Sequence, residues 1–382
     1  MINRFVFNET SYFGFAARSV LVNEIKKRKF KKALLVTDKE LIKVGVTNKI
    51  TDLLDANSIS YEMFSDVSPN PTVNNVKKGF KIANKYHVDY IIAVGGGSVI
   101  DVAKAIGIIC TNPGDKDIRD LVCYSDTDNK SLPIIAFPTT AGAASESTIS
   151  YAIIDEDAKS KTLCNDPNNI PVLSIIDTEL LDFMPASLAA TTGLESLAQA
   201  MEAYISKEHN EMSDMFAIKA INLIYSNLER AVNKDKNAME NMALAQYVAG
   251  MAFSNSGLGI VHSMAHQLSA TYGTSHGLAS AVLLPYVLEY NGEKCEERFV
   301  DIAKAMGLEI DGLTKEEVVK LVVEAVRELS ARLNIPEHLS EIGVIEKDIP
   351  SLSDRAYNDP CTIDNPRIVD ITDLENLFKT AL

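Results

Sequence analysis

The chain has 382 residues, which at roughly 150 residues per domain allows two or three domains and a core that needs no disulfide or metal staples. Hydrophobic residues at 46% and charged residues at 23% exclude a disordered or low-complexity chain. The 37 Lys and Arg against 52 Asp and Glu leave a net charge of −15, and the longest basic run is Lys26-Lys27-Arg28-Lys29, which speaks against a nucleic-acid groove or an anionic membrane surface.

The first half alternates short apolar, β-rich runs with helical patterns, as a parallel βαβ layer requires. In chain order, strands are predicted at Ala33–Thr37, Ser60–Phe64, Tyr90–Val94 and Ile134–Phe137, with further extended runs at Ser150–Ile154 and Val172–Ile176. Helical periodicity fills Leu41–Asn57, Asn74–His87 and Ser98–Cys110. Ahead of these, Arg4–Phe7 leading into Asn8-Glu9-Thr10 is an edge-strand candidate that could pair across a two-fold axis, so a homodimer is expected.

After Asp177 the period changes. Apolar residues recur every three or four positions through Thr191–Ile205, Met215–Val232, Met239–Phe253, Ile260–Leu268 and Lys315–Leu333, the pattern of a helical domain. The expected division is an α/β dinucleotide-binding domain over 1–180 and an all-α domain over 181–382. The five cysteines are widely spaced with no C-x-x-C pair, the N-terminus lacks an apolar signal core, and no run of about 18 apolar residues occurs. Reduced thiols, a cytoplasmic location and no membrane partner are expected.

Gly95-Gly96-Gly97-Ser98 follows a predicted strand and opens a helix, so bare backbone N–H groups and the helix dipole could meet a phosphate. The spacing departs from G-x-G-x-x-G, and a turn that simply needs glycine would read the same way. Asp38 ends a strand where a carboxylate could bond adenosine ribose hydroxyls and repel a 2′-phosphate, favouring NAD over NADP; it could equally cap the following helix. Thr139-Thr140-Ala141-Gly142 forms a second small-residue loop after a strand.

His262, His266 and His276, half of the six histidines, fall within fifteen residues. The first two are i and i+4 on one helical face, and the turn Tyr272-Gly273-Thr274-Ser275 can fold the third back, which is the convergence a divalent metal needs. Glu195 and Gln199 are likewise i and i+4, with Glu202 further along; read alone, they fit a solvated helix face or a ligand pair.

These residues in this order resemble the iron-containing (group III) alcohol dehydrogenase family, most closely its branch that interconverts lactaldehyde and 1,2-propanediol. The resemblance runs from Asn8-Glu9-Thr10 and Phe13-Gly14 through Pro69-Asn70-Pro71-Thr72, Gly95–Ser98 with Asp101 and Lys104, Pro138–Gly142 and Gly257-Leu258-Gly259, to Cys361-Thr362 and Asn365-Pro366-Arg367. It implies the dehydroquinate synthase-like fold, with NAD in the cleft between an α/β domain and an all-helical domain. It places Asp38, Asn70, Gly95, Gly96, Gly97, Ser98, Asp101, Thr139, Thr140 and Lys161 on the cofactor. It implies a metal, iron before zinc, on positions 195, 199, 262 and 276, with His266 as the unligated catalytic histidine near the nicotinamide.

The chain departs from the family at the first two ligands, where Glu195 and Gln199 stand for Asp and His. The ligand charge is unchanged, but an amide oxygen is a weaker donor than an imidazole, so metal affinity should fall. Ser150 and Ala152, on the substrate side, also differ from the residues expected there and suggest an altered alcohol pocket. The expected activity is NAD-dependent interconversion of a small aldehyde with its alcohol or diol. The competing readings are a metal-depleted family member with weak or redirected activity and a non-catalytic nucleotide-binding subunit.

Overall fold

Strands whose two faces are both covered must be apolar at every position, and the run Tyr90-Ile91-Ile92-Ala93-Val94 is of that kind. The computed structural model describes every residue except 1, 3, 113–116, 122, 125–126 and 159. Its strands are β1 (Thr10–Gly14), β2 (Lys32–Val36), β3 (Ser60–Phe64), β4 (Tyr90–Gly95), β5 (Cys123–Tyr124), β6 (Ile134–Pro138), β7 (Ser150–Asp155), β8 (Ser160–Asn165) and β9 (Leu173–Asp177). The helices among them are α1 (Leu21–Arg28), α2 (Lys39–Lys43), α3 (Asn48–Ala56), α4 (Val73–Tyr86) and α5 (Gly97–Thr111). Then follow α6 (Ala186–Ile205), α7 (Glu211–Val232), α8 (Lys236–Phe253), α9 (Ile260–Tyr272), α10 (His276–Gly292), α11 (Glu296–Met306), α12 (Lys315–Arg332), α13 (Ile349–Tyr357) and α14 (Ile371–Thr380). The chain forms two compact units: Met1–Thr140, Ala144–Ala158 and Thr162–Met184 make the first, and Ala141–Ala143, Lys159–Lys161 and Pro185–Leu382 the second.

In the first unit a six-stranded sheet runs β1-β9-β6-β4-β2-β3, and every pairing in it is parallel. Alternate residues separate its two cores. Leu34, Val36, Ile91 and Ala93 pack with residues of α4 and α5, whereas Ala33, Leu35, Tyr90, Ile92 and Val94 pack with Leu21 and Ile25 of α1 and Ile50 and Leu54 of α3. The chain moves from β2 outward to β3, then returns to the other side of β2 as β4, so the strand order reverses between β2 and β4. The carboxyl ends of strands at such a switch point are where open α/β sheets bind ligands. A second, three-stranded sheet is ordered β5-β8-β7.

Two expectations are corrected here. The helix anticipated over Leu41–Asn57 is two helices, α2 and α3, because Gly45 between them adopts φ +80°, which an α-helix cannot continue. The edge strand anticipated at Arg4–Phe7 begins instead at Thr10, where β1 pairs with β9.

Among the described residues, the second unit contains helices and, of the strands, only the start of β8. From Thr192 onward α6 is buried on all sides, and so is most of α10, which also carries Pro285. Among the described residues, no helix is long and apolar enough to cross a membrane.

Lys104 of α5 is wholly buried, and its ammonium donates to Thr148 O at 2.6 Å, Thr148 Oγ1 at 3.0 Å and Ser150 O at 2.8 Å, fixing the chain where β7 begins. Burial lowers its pKa to about 8, against which Asp101 and Glu146 act. The unfolded chain keeps this proton up to about 10.5 and the folded chain only to about 8, so stability rises across that window, and the cost is constant below it. Lys104→Met should lose about 2–4 kcal/mol at pH 7, since buried acceptors are left without donors. Its deficit relative to the unmodified protein, read by urea unfolding, should widen from pH 8 towards 10.5; a deficit that stays flat would contradict the assignment.

Candidate active site

In the first unit, the cofactor candidates gather at the carboxyl end of the sheet. β2 lies beside β4, and β4 beside β6 with Gly95 opposite Pro138, so Asp38, Gly95–Ser98 and Thr139–Thr140 leave the sheet as neighbours. Gly96 is the N-cap of α5, and no side chain caps that helix, which leaves its first N–H groups for an anion. A Cβ on Gly95 would stand 2.5 Å from Val99 Cβ; one on Gly96 would meet the Thr140 side chain at 3.1–3.2 Å. Gly95 is thus fixed by packing of its own strand against α5, and Gly96 by the second loop.

Asp38 Oδ1 accepts from Leu41 N at 2.9 Å, so the capping role of this residue is realised in α2. Ser98 Oγ donates to Pro69 O, which ties the glycine turn to the segment bearing Asn70. Thr139 is buried and its N–H donates to Gly95 O at 3.1 Å. Asp101 Oδ2 accepts from Ala152 N at 3.0 Å, and Ser150 Oγ bonds Asn165 Oδ1 at 2.5 Å. Asp101, Ser150 and Ala152 are therefore linked through the start of β7 rather than set apart.

In the second unit, the all-round burial of α6 sets the problem. Glu195, Gln199 and Glu202 lie at i, i+4 and i+7, one polar face of a helix with no solvent side, and each is at most 4% exposed. The solvated-face reading of Glu195 and Gln199 is excluded by this burial. Helix α9 brings His262 and His266 to that face, and α10 begins with His276. The His262 and His276 ring centroids are 5.4 Å apart, those of His266 and His276 5.1 Å and nearly parallel, and His276 Nε2 lies 4.0 Å from Glu195 Oε1.

The backbone accommodates this convergence by close approach. A Cβ on Gly277 would lie 2.9 Å from Glu195 Oε2, and one on Gly142 would lie 2.5 Å from Thr192 Cβ. Ser196 Oγ donates to Gly142 O at 2.8 Å, and Gln199 Nε2 to Ala143 O at 3.5 Å. The amide of Gln199 is therefore oriented, with its donor turned to the backbone. Three buried atoms then have no hydrogen-bond partner in the protein: Gln199 Oε1, His262 Nε2 and His276 Nδ1. An unpartnered buried polar atom costs about 1–3 kcal/mol, and Gln199, His262 and His276 each carry one on a side-chain type that can ligate a divalent cation. Glu195, Gln199, His262 and His276 fit a divalent metal on this ground.

Burial lowers the pKa of His266, against Asp359, and that of His276 falls well below the ordinary imidazole value through burial and the neighbouring Lys161 charge. Lys161, anticipated on the cofactor, is itself buried. Asp359 was not singled out by the sequence. It stands 93 residues from His266, and its place before Pro360 reads as an ordinary cap, which it also is, for Cys361 N. His266, Asp359 and Cys361 bring potential ligand atoms within 4.8 Å of one another, but both Asp359 oxygens already accept hydrogen bonds.

Residues 8–178 match the iron-containing alcohol dehydrogenase family, and residues 189–382 match the Fe-containing alcohol dehydrogenase family, C-terminal. The chain belongs to the iron-containing alcohol dehydrogenase family. It is 46% identical over 381 residues to the lactaldehyde reductase of Escherichia coli (strain K12), covering 100% of both chains. It is 42% identical over 378 residues to the 1,3-propanediol dehydrogenase of Citrobacter freundii, covering 97% of this chain and 96% of that one. A solved 1,3-propanediol oxidoreductase superposes with a TM-score of 0.96 at 38% identity, covering 100% of each chain. The fold and the oxidoreductase class expected from the sequence are those of this family: the chain is an alcohol–aldehyde oxidoreductase.

The glycine geometry separates two roles that the sequence left merged. Gly95→Ala should cost about 1–3 kcal/mol, because the clash is with the branched Cβ of Val99, whereas Gly96→Ala should cost less than about 1 kcal/mol, because the Thr140 side chain can give way. Guanidinium unfolding midpoints measure both; equal losses would contradict the distinction.

Proposed function

We propose that the chain reduces lactaldehyde to 1,2-propanediol, and runs the reverse oxidation, with NAD(H) and a divalent metal, iron first and zinc second. The observation that carries the proposal is the trio of buried, unpartnered atoms on Gln199, His262 and His276, on a buried cluster in which the Glu195 carboxylate lies 4.0 Å from His276 Nε2. Full-length similarity to the E. coli lactaldehyde reductase supports the substrate class. The uncapped N-terminus of α5 supports a dinucleotide phosphate, and the Asp38 carboxylate at the end of β2 supports NAD over NADP.

Glu195, Gln199, His262 and His276 would hold the metal. Bound NAD(H) would supply the hydride chemistry and the metal would supply Lewis acidity. His266, a buried imidazole whose Nδ1 is engaged by Asp359, holds or moves a proton at Nε2 as the substrate oxygen changes between carbonyl and hydroxyl. Burial first, and the Lys161 charge after it, lower the pKa of His266 and His276, which favours the neutral imidazoles that act as donors or proton acceptors.

The test compares the unmodified protein with the Glu195→Asp, Gln199→His double variant, which restores the family donor set. Metal per chain after dialysis should rise in the variant, with affinity up about tenfold, and NADH-dependent lactaldehyde reduction should rise with it. NADPH should serve poorly in both. An unmodified protein that stays metal-free under added iron or zinc, yet turns over as fast as the double variant, would contradict the proposal.

A further inference from the structure

Each histidine of α9 is engaged at Nδ1 by a buried carboxylate from a different segment of the helical unit. Glu202 Oε2 lies 2.5 Å from His262 Nδ1, while its Oε1 accepts from Val261 N at 2.7 Å. Asp359 Oδ2 lies 2.9 Å from His266 Nδ1 and 3.3 Å from Gln267 Nε2, while its Oδ1 accepts from Cys361 N at 3.0 Å. An ionised carboxylate can only accept, so both rings carry their proton on Nδ1 and present a lone pair at Nε2. For His262 that lone pair is the buried, unpartnered atom of the donor set.

We propose that Glu202 and Asp359 are positioning residues that set the tautomers of His262 and His266 separately, Glu202 making His262 a metal ligand and Asp359 making His266 the proton-carrying ring. The inference rests on the roles given to these histidines above. Glu202 is suited to an unvarying task because the backbone presses on it: a Cβ on Gly259 would lie 2.8 Å from its Oε1, and Val261 N binds the same oxygen. Its charge also strengthens the opposite ring nitrogen as a donor, which compensates for the weak amide at Gln199. Asp359 is anchored on the short turn at Pro360–Asp364 and touches neither Glu202 nor His262 through any hydrogen bond described, so the two carboxylates can fail independently.

The isosteric amides reverse the polarity at one oxygen each. In Glu202→Gln, the carbonyl can still accept from Val261 N, and the NH2 then faces His262 Nδ1, which drives the ring proton to Nε2 and into the donor set. In Asp359→Asn the same reversal falls on His266. An aspartate-to-asparagine change beside a catalytic histidine is known to abolish activity through the wrong tautomer while leaving geometry intact.

The test reads the tautomers directly. Long-range 1H–15N spectra of the metal-free protein, which has six histidines, should show His262 and His266 protonated at Nδ1. Glu202→Gln should move only His262 to the Nε2-protonated form, and Asp359→Asn only His266. After loading with Zn2+, Glu202→Gln should hold metal roughly ten- to a hundredfold more weakly. Asp359→Asn should keep its metal and its KM for lactaldehyde but lose kcat by two orders of magnitude or more, about the scale of general acid–base catalysis. Glu202→Asp should partly restore metal retention. The inference is overturned if either amide leaves its histidine's tautomer unchanged, or if Glu202→Gln retains metal like the unmodified protein. An unmodified protein with the stated tautomers but neither metal uptake nor lactaldehyde reduction would instead overturn the functional reading.

Discussion

Everything in the helical unit depends on a helix that is buried on all sides and still carries three polar residues on one face. Glu195, Gln199 and Glu202 of α6 cannot reach water, so each must find a partner inside the protein or bear the cost of having none. Glu202 finds two, His262 Nδ1 and Val261 N. Gln199 finds one for its amide donor and none for its oxygen. The glycines at 142, 259 and 277 are placed where α6 or a carboxylate on it leaves no room for a Cβ. Gln199, His262 and His276 each keep one buried atom without a partner in the protein, and a cation satisfies oxygen and nitrogen donors together.

Under the proposed ligand set, Glu195 and Gln199 in place of the Asp and His that the resemblance implies would keep the net ligand charge at minus one but exchange a strong neutral donor for a weak one. Imidazole suits iron, zinc and copper, while carboxylate and carbonyl oxygens suit harder ions such as manganese and magnesium. The site therefore combines two imidazoles of the first kind with two oxygens of the second. In the proposed site, donor chemistry predicts a weaker metal affinity, and the Glu202 carboxylate at His262 Nδ1 is the proposed compensating element.

Legibility in the sequence tracked periodicity and spacing. β3, an edge strand, falls at Ser60–Phe64 as predicted, and the central strands β2, β4 and β6 fall within one residue of their predicted ends, because strands buried on both faces write themselves as nearly unbroken apolar runs. Helix α10 was missed because it is apolar on nearly every side and carries Pro285, so no polar face marks its period, whereas α6, also buried, keeps the polar spacing of Glu195, Gln199 and Glu202. The split between α2 and α3 was missed because a single glycine with positive φ interrupts an otherwise continuous pattern. The three histidines were legible from their clustering. Glu195 and Gln199 read alone were ambiguous, since i, i+4 spacing is equally that of a surface pair, and only burial decides. Asp359 was illegible because its partner is distant in the chain and its local context explains it as a cap.

The central proposal is that Glu195, Gln199, His262 and His276 hold a divalent cation, and its most direct test is thermal unfolding of the metal-stripped protein with and without added Zn2+ or Fe2+. A ligand that binds only the folded state raises the unfolding temperature with its concentration. The melting temperature should climb with added metal, and the rise should vanish in His262→Ala. A melting temperature indifferent to both ions would contradict the account.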